Sequence, residues 1–211
     1  MMKKALVALA FSAVAVSAQA GALLEEGFDS VATLTTKGWV MKNASTDIGS
    51  TPGWFQAFEQ AFPALTGAAN SYAAANYNNT IPGGMIDSWL ITPEFSTAQG
   101  AIVSFWLQSE AFEGTSDQVA FGFSNGSSAL TSFALGSPVA VAANGWNRYE
   151  AVIGKSAGTA RFAFQYTGAF ETSNYVGLDN LLVSEVPEPT TMMILAAGVM
   201  GLTMSRRRKR G

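Results

Sequence analysis

The stretch Thr159–Tyr166, TARFAFQY, alternates between apolar and polar or small residues. Phe162, Phe164 and Tyr166 fall on one side of an extended strand, and the residues between them fall on the other. A period of two is typical of a β-strand that buries one face against a core. The stretch therefore predicts a strand in a β-rich protein.

Other segments along the chain carry the same signal. QVAFGFS (118–124) also alternates, whereas AIVSFWLQ (101–108) is apolar on both sides, which favours an inner strand. DSWLIT (87–92) and YVGLDNLLV (175–183) predict two further strands. Turn residues separate these segments, as in Thr51-Pro52-Gly53, Pro82-Gly83-Gly84 and Asn144-Gly145. Many short strands divided by turns favour an all-β fold with two packed sheets.

The composition excludes several functional classes. The chain has no Cys and no His, so it has no disulfide framework, no thiol nucleophile and no imidazole base or zinc ligand. Residues 21–186 contain five basic and 14 acidic side chains, which gives a net charge of −9. We expect no nucleic-acid binding, because neutralising phosphates requires a basic surface. An acidic surface of this kind can attract divalent cations.

The first 20 residues have the three parts of a secretory signal peptide. Lys3 and Lys4 form the charged part, Ala5–Val16 forms the apolar part, and Ala18 and Ala20 frame an A-x-A cleavage site. We predict a signal peptide over residues 1–20. A transmembrane helix is the alternative, but the apolar run is short for about 30 Å of hydrocarbon.

Residues 186–211 contain three parts in a fixed order. Pro187-Glu188-Pro189 precedes an apolar run from Met192 to Met204, which is short for a membrane span. Basic residues follow it, and the positive-inside rule places them in the cytoplasm as a membrane stop. They are Arg206, Arg207, Arg208, Lys209 and Arg210.

This order of parts resembles a PEP-CTERM sorting signal. The resemblance implies a bacterial exported protein that is held transiently in the inner membrane by a short C-terminal helix. An exosortase would then cut near Pro187, Glu188 and Pro189 and release the protein to the cell surface or the extracellular space. A permanent single-span anchor is the alternative.

The segment between the two ends, residues 21–185, is similar to the choice-of-anchor J domain. That domain is related to the MAM-like and cleaved-adhesin jelly rolls. The resemblance rests on WLITP (89–93), SFW (104–106) and LDN (178–180). It implies a two-sheet jelly-roll β-sandwich, flanked by the signal peptide and the C-terminal hydrophobic helix.

The same resemblance implies a structural Ca²⁺ ion, since related jelly rolls hold one near their first and last strands. The matching carboxylates are Glu26, Asp29 and Asp179. A cation would compensate a carboxylate in the apolar strand around Asp179. The alternative is that Asp179 accepts hydrogen bonds from backbone N–H groups in a turn, with Glu25 and Glu26 solvated.

Carbohydrate binding is a second candidate activity. Trp54, Tyr72 and Tyr77 lie in the Asn-rich stretch 43–84, where aromatic rings and amides suit a sugar ligand. The alternative is that these aromatic residues pack in the interior. Trp106 lies within a strand motif, which favours a core position.

These observations favour a non-enzymatic, exported protein of the cell surface or extracellular matrix, associated with exopolysaccharide or biofilm, or adhesive. One alternative is a carbohydrate-binding module with a defined glycan ligand. The other is a glycoside hydrolase, which needs two carboxyl groups across a sugar. Its candidate residues would be Glu110, Glu113 and Asp117.

Overall fold

The computed structural model describes residues 21–187, which form short strands joined by turns. Thirteen strands, β1 to β13, follow one another along the chain at Ala22–Glu26, Val40–Asn43, Phe55–Gln56, Ala73–Asn76, Met85–Ile91, Phe95–Ser96, Ala101–Ser109, Gln118–Ser124, Ala134–Leu135, Val139–Ala140, Asn147–Ile153, Thr159–Ala169 and Tyr175–Glu185. Short 3₁₀ helices lie at Val31–Lys37, Tyr77–Asn79, Leu130–Ser132 and Phe170–Thr172. Within the described part of the chain, no helix has the length and apolar character needed to cross a membrane.

The strands pair into two antiparallel sheets. The six-stranded sheet has the order β11-β7-β13-β4-β3, and β1 pairs with β13 next to β4. The seven-stranded sheet has the order β10-β8-β12-β5-β2, with β6 on β12 and β9 on β8. The predicted all-β fold with two sheets is confirmed, and the first strand lies beside the last.

The core lies between the two sheets, and the alternation of TARFAFQY determines which side chains enter it. Phe162, Phe164 and Tyr166 of β12 are fully buried in this core. Phe105 and Leu107 of β7 enter it from the other sheet. Phe105 and Phe164 meet edge to face across the core, with ring centroids 4.8 Å apart. β7 lies between β11 and β13, so the prediction of an inner strand is confirmed.

A β-bulge halfway along β13 changes which of its side chains face the core. Asp179 pairs with Trp106 and Leu182 pairs with Ser104, so one extra residue stands on β13. Asn180 has a φ of 47°, a left-handed conformation that asparagine tolerates better than most residues. Before the bulge the even-numbered residues of β13 face the core, and after it the odd-numbered residues do.

Candidate functional site

The outer face of the six-stranded sheet, which points away from the core, is covered over one half only. Residues 57–71, the covering segment, lie on this half and help to build a second apolar cluster, the aromatic layer. Its rings belong to Phe55, Phe62, Tyr72, Trp146 and Tyr175. Phe62 stacks on Tyr72 with centroids 5.1 Å apart, and Trp146 meets both rings edge-on. This half of the face is a packed layer.

Small residues beneath the aromatic layer allow it to approach the sheet closely. A Cβ atom added to Gly177 of β13 would lie 2.8 Å from the ring of Tyr72 and 2.9 Å from the ring of Phe62. Ala74 of β4, the pairing partner of Gly177, is fully buried in the same layer. A larger residue at position 177 would therefore displace the rings.

Asp179 fastens the covering segment to the sheet. Its carboxylate is fully buried, and Oδ2 accepts hydrogen bonds from the backbone N–H groups of Leu65 at 2.9 Å and Thr66 at 3.4 Å. Oδ1 accepts a third from the N–H of Asn180 at 2.7 Å. Burial raises the pKa of Asp179 to about 6, against the lowering effect of these N–H donors.

Two of the three predicted calcium ligands, Glu26 and Asp179, have protein partners. Glu26 is 7% exposed, its Oε2 lies 2.9 Å from Lys37 Nζ, and its Oε1 accepts a hydrogen bond from the N–H of Phe28 at 3.0 Å. Asp29 is exposed, whereas Asp179 accepts backbone donors. In residues 21–187, no group of three or more acidic side chains could hold a metal ion.

Calcium needs about six to eight oxygen ligands, whereas the carboxylates of Glu26 and Asp179 already accept hydrogen bonds from protein donors. Backbone hydrogen bonding, the alternative for Asp179, is the arrangement that the structure shows. The matching alternative for Glu26, a solvated side chain, is wrong because the carboxylate is buried against Lys37. The calcium site stays a prediction without geometric support.

Two of the three aromatic residues predicted to bind ligand are buried. Trp54 is 4% exposed, and its Nε1 donates a hydrogen bond to the carbonyl oxygen of Ser88 at 3.2 Å. Tyr72 is fully buried, with its hydroxyl 2.9 Å from the carbonyl oxygen of Phe62. Trp54 and Tyr72 therefore pack in the interior, which was the alternative to a role in sugar binding. Tyr77 is half-buried in a 3₁₀ turn between strands.

The open half of the outer face is built around Trp106. The side chain is half-buried in the middle of β7, in register with Arg148 on β11 and Asp179 on β13. A cleft of about 450 Å³, the Trp106 cleft, adjoins it. The lining includes Glu25, Thr66, Ser104, Trp106, Arg148 and Asn180.

The position of Trp106 corrects the interpretation of this residue as part of the core. Phe105 and Leu107 enter the core, so the residue between them must face outward. The alternation of AIVSFWLQ already places Trp106 on the face opposite Phe105 and Leu107. Because both faces of this strand are apolar, however, the pattern favours a strand that is buried on both sides. Trp106 stays partly exposed because the covering segment reaches only to the edge of its cleft, at Thr66.

The three carboxylates considered for glycoside hydrolysis line one cleft of about 430 Å³. They are Glu110, Glu113 and Asp117. Asp117 is 2% exposed, and it accepts hydrogen bonds from the hydroxyl of Tyr166 and the N–H groups of Asn174 at 2.8 Å and Tyr175 at 3.2 Å. Burial raises the pKa of Asp117. Its oxygens are occupied by protein donors, which fixes the connection between β12 and β13.

The C-terminal part of the chain matches a family model described as the PEP-CTERM protein-sorting motif, over residues 185–209. The chain carries a PEP-CTERM sorting motif. The motif implies that the protein is exported, passes through a membrane-anchored stage and is processed by an exosortase. A comparison with curated proteins finds no match.

Two solved structures share the fold of the sandwich. The K1 cleaved adhesin domain of Lys-gingipain from Porphyromonas gingivalis W83 aligns with a TM-score of 0.59 and 19% identity, over 79% of this chain and 99% of that domain. The K3 cleaved adhesin domain of the same protein aligns with a TM-score of 0.57 and 17% identity, over 79% and 99% of the two chains. The resemblance to cleaved-adhesin jelly rolls is confirmed at the level of the fold.

Several predicted features lie outside the described residues. These are the signal peptide with Ala18 and Ala20, the processing residues Glu188 and Pro189, the C-terminal hydrophobic helix, and the basic residues Arg206, Arg207, Arg208, Lys209 and Arg210. Pro187 is the last described residue and is exposed.

Proposed function

We propose that this protein is a non-enzymatic component of the cell surface or extracellular matrix that associates with exopolysaccharide after exosortase processing. The observation that carries the proposal is the direct junction of a sorting motif with an adhesin-like sandwich. Strand β13 ends at Glu185, and the match to the motif begins at residue 185. The sorting motif therefore follows directly on the last strand of the β-sandwich.

The arrangement of the sandwich supports a role in contact with the surroundings. The N–H of Glu185 donates a hydrogen bond to the carbonyl oxygen of Gly21 at 2.9 Å, so both ends of the sandwich lie at one pole. β7 begins at that pole and ends at the opposite one, where the loop carrying Phe112 follows. Phe112 is 68% exposed. The second pole therefore carries an exposed apolar side chain and neither end of residues 21–187.

A non-enzymatic role fits the state of the acidic residues. Asp117 has no oxygen free of protein donors, and the carboxylate of Glu110 accepts a hydrogen bond from Asn174 Nδ2 at 3.2 Å. A glycosidase needs an acid and a second carboxylate that both face the sugar. Incubation of the exported protein with polysaccharides should release no reducing ends above the background, and sustained release would contradict a non-enzymatic role.

Mass spectrometry of the protein from fractionated cells tests the export and processing directly. We expect an extracellular form that begins at Gly21 and ends between Glu185 and Met192. The control is a Pro187→Ala/Pro189→Ala variant, which should accumulate in the membrane fraction. Recovery of the unaltered protein with Arg210-Gly211 at its C-terminus, in the membrane fraction, would show a permanent anchor instead.

A further inference from the structure

The indole N–H of Trp106 is neither bonded to a protein acceptor nor enclosed in the core, unlike the other four indole N–H groups in residues 21–187. The N–H groups of Trp54, Trp89 and Trp146 donate hydrogen bonds to protein acceptors, and that of Trp39 is enclosed in the core. In residues 21–187, Trp106 Nε1 has no acceptor, and the ring stacks on no other aromatic ring. A half-buried indole with an unused donor provides both an apolar surface and a polar contact for a ligand.

The surroundings of Trp106 carry further unused hydrogen-bonding groups. Asn180 Oδ1 accepts a hydrogen bond from the hydroxyl of Thr66 at 2.8 Å, which leaves the amide Nδ2 of Asn180 without an acceptor among the described residues. The hydroxyl of Ser104 is also without a partner there, and both groups line the Trp106 cleft. Hydroxyl and amide groups around an aromatic ring match the hydroxyl pattern of a pyranose, which has polar edges and an apolar face.

The cleft is preorganised by the covered half of the sheet. Asp179 holds the backbone of Leu65 and Thr66, so the edge of the covering segment forms a fixed wall beside Trp106. The volume of about 450 Å³ falls within the range of about 300–1,000 Å³ typical of small-ligand sites. A wall fixed in advance lowers the entropic cost of binding.

The charges at the cleft indicate the chemical class of the ligand. Arg148 is paired with Glu150 at 3.1 Å, and Lys37 is paired with Glu26 at 2.9 Å. Glu25 lines the cleft, is exposed and forms no ion pair within residues 21–187. The charge at the Trp106 cleft is therefore neutral to negative, which disfavours the binding of uronate sugars and other anionic ligands.

We propose that the Trp106 cleft binds neutral polysaccharide, with a pyranose ring against the indole of Trp106 and its hydroxyl groups bonded to Ser104 and Asn180. This inference rests on the proposed extracellular role and assigns that role a site and a ligand class. The aromatic residue that contacts sugar is then Trp106, in place of Trp54 and Tyr72.

Affinity electrophoresis of the exported protein in native gels tests this assignment. The gels contain neutral polysaccharides (galactan, xylan, glucomannan, dextran or the neutral fraction of the exporting cells' own polysaccharide) or the polyuronates alginate and polygalacturonate. We expect retardation by at least one neutral polysaccharide and none by the polyuronates. Absence of retardation by every neutral polysaccharide, or retardation by the polyuronates alone, would overturn the assignment.

Two variants and a matched control locate the site. Trp106→Ala should weaken the retardation by at least about tenfold, equal to 1.4 kcal/mol, and Trp106→Phe should weaken it less because a ring remains. Phe112→Ala removes an exposed aromatic ring outside the Trp106 cleft and should bind as the unaltered protein does. This site would be excluded if Trp106→Ala bound as tightly as the unaltered protein, or if Trp106→Ala and Phe112→Ala lost the same amount of binding. If Trp106→Ala fails to fold, the test is Trp106→Phe, and binding by this variant equal to that of the unaltered protein would contradict the site.

The result is independent of the localisation experiment. A protein that is processed and released but binds no neutral polysaccharide would contradict the Trp106 site and leave the surface role intact. A protein that binds through Trp106 but keeps its C-terminal tail in the membrane would contradict the processing and leave the site intact.

Discussion

The outer face of the six-stranded sheet has two halves that differ in what lies above their aromatic side chains. On the covered half, Phe62 of the covering segment stacks on Tyr72, and both rings pack directly over Gly177. On the open half, Trp106 borders a cleft and its indole makes no hydrogen bond within residues 21–187. An aromatic ring on this sheet face therefore stabilises the fold where a loop covers it, and stays accessible to other molecules where the loop ends.

The largest expected effect comes from breaking the covered half. Tyr72→Ala removes a fully buried ring and its hydroxyl contact with the carbonyl oxygen of Phe62. We expect a loss of about 3–5 kcal/mol in the free energy of unfolding, measured by urea titration. Phe112→Ala is the control and should stay within about 0.5 kcal/mol, because that ring is exposed. Similar losses for both variants would show that the covered half is not a packed layer.

The spacing between the sheet and the aromatic layer provides the second test. Gly177→Ala places a Cβ atom 2.8 Å from the ring of Tyr72, so the layer must shift. We expect a loss of about 1–3 kcal/mol from overpacking. In Gly154→Ala the added Cβ meets no atom within 4 Å, and the stability should change little. A Gly177→Ala variant as stable as Gly154→Ala would contradict the close approach.

The contribution of Asp179, which fastens the covering segment to the sheet, to the free energy of unfolding is expected to depend on pH. Burial raises the pKa of Asp179 from 3.8 to about 6 in the folded protein, so in this range the folded state binds the proton more tightly than the unfolded state. The stability contributed by Asp179 should therefore increase as the pH falls from about 7 to about 4. Asp179→Asn removes this titration.

The measurement is the difference in unfolding free energy between the unaltered protein and Asp179→Asn, followed across this pH range. The difference should grow in favour of the unaltered protein as the pH falls. Glu113→Gln, which changes an exposed carboxylate, serves as the control. A difference that stays constant or shrinks towards acid pH would show that Asp179 is not held as a buried carboxylate.

The smallest effect on stability is expected on the open half. Trp106→Ala removes a half-buried ring that has no hydrogen bond or aromatic partner within the described residues. We expect a loss of about 1 kcal/mol by urea titration, much less than for Tyr72→Ala. A loss as large as that of Tyr72→Ala would mean that Trp106 serves the fold and not a ligand.

The inward-facing side of the sandwich could be predicted from short stretches of sequence. The alternation around Phe162, Phe164 and Tyr166 fixes which residues enter the core, because a strand has a period of two. The outer face could not be predicted in the same way. Whether Tyr72 or Trp106 is covered depends on where residues 57–71 lie, and local patterns contain no information on that.

Asp179 shows that local sequence patterns also fail to predict the partner of a single side chain. A carboxylate in an apolar strand indicates that a partner must exist, and the sequence suggested either a cation or backbone N–H groups. The partner that the structure supplies, the N–H of Leu65, lies 114 residues away along the chain. Its identity follows from the tertiary fold and not from the neighbours of Asp179 in sequence.

The most direct test of the difference between the two halves is hydroxyl-radical labelling of the exported protein, read by mass spectrometry at each aromatic residue. The experiment compares the free protein with the protein in a neutral polysaccharide at a concentration that fully retards it in the gel. We predict that the polysaccharide lowers the oxidation of Trp106 and leaves Trp146 and Phe112 unchanged. Unchanged oxidation of Trp106 in the bound protein would contradict the assignment of the open half as the ligand site.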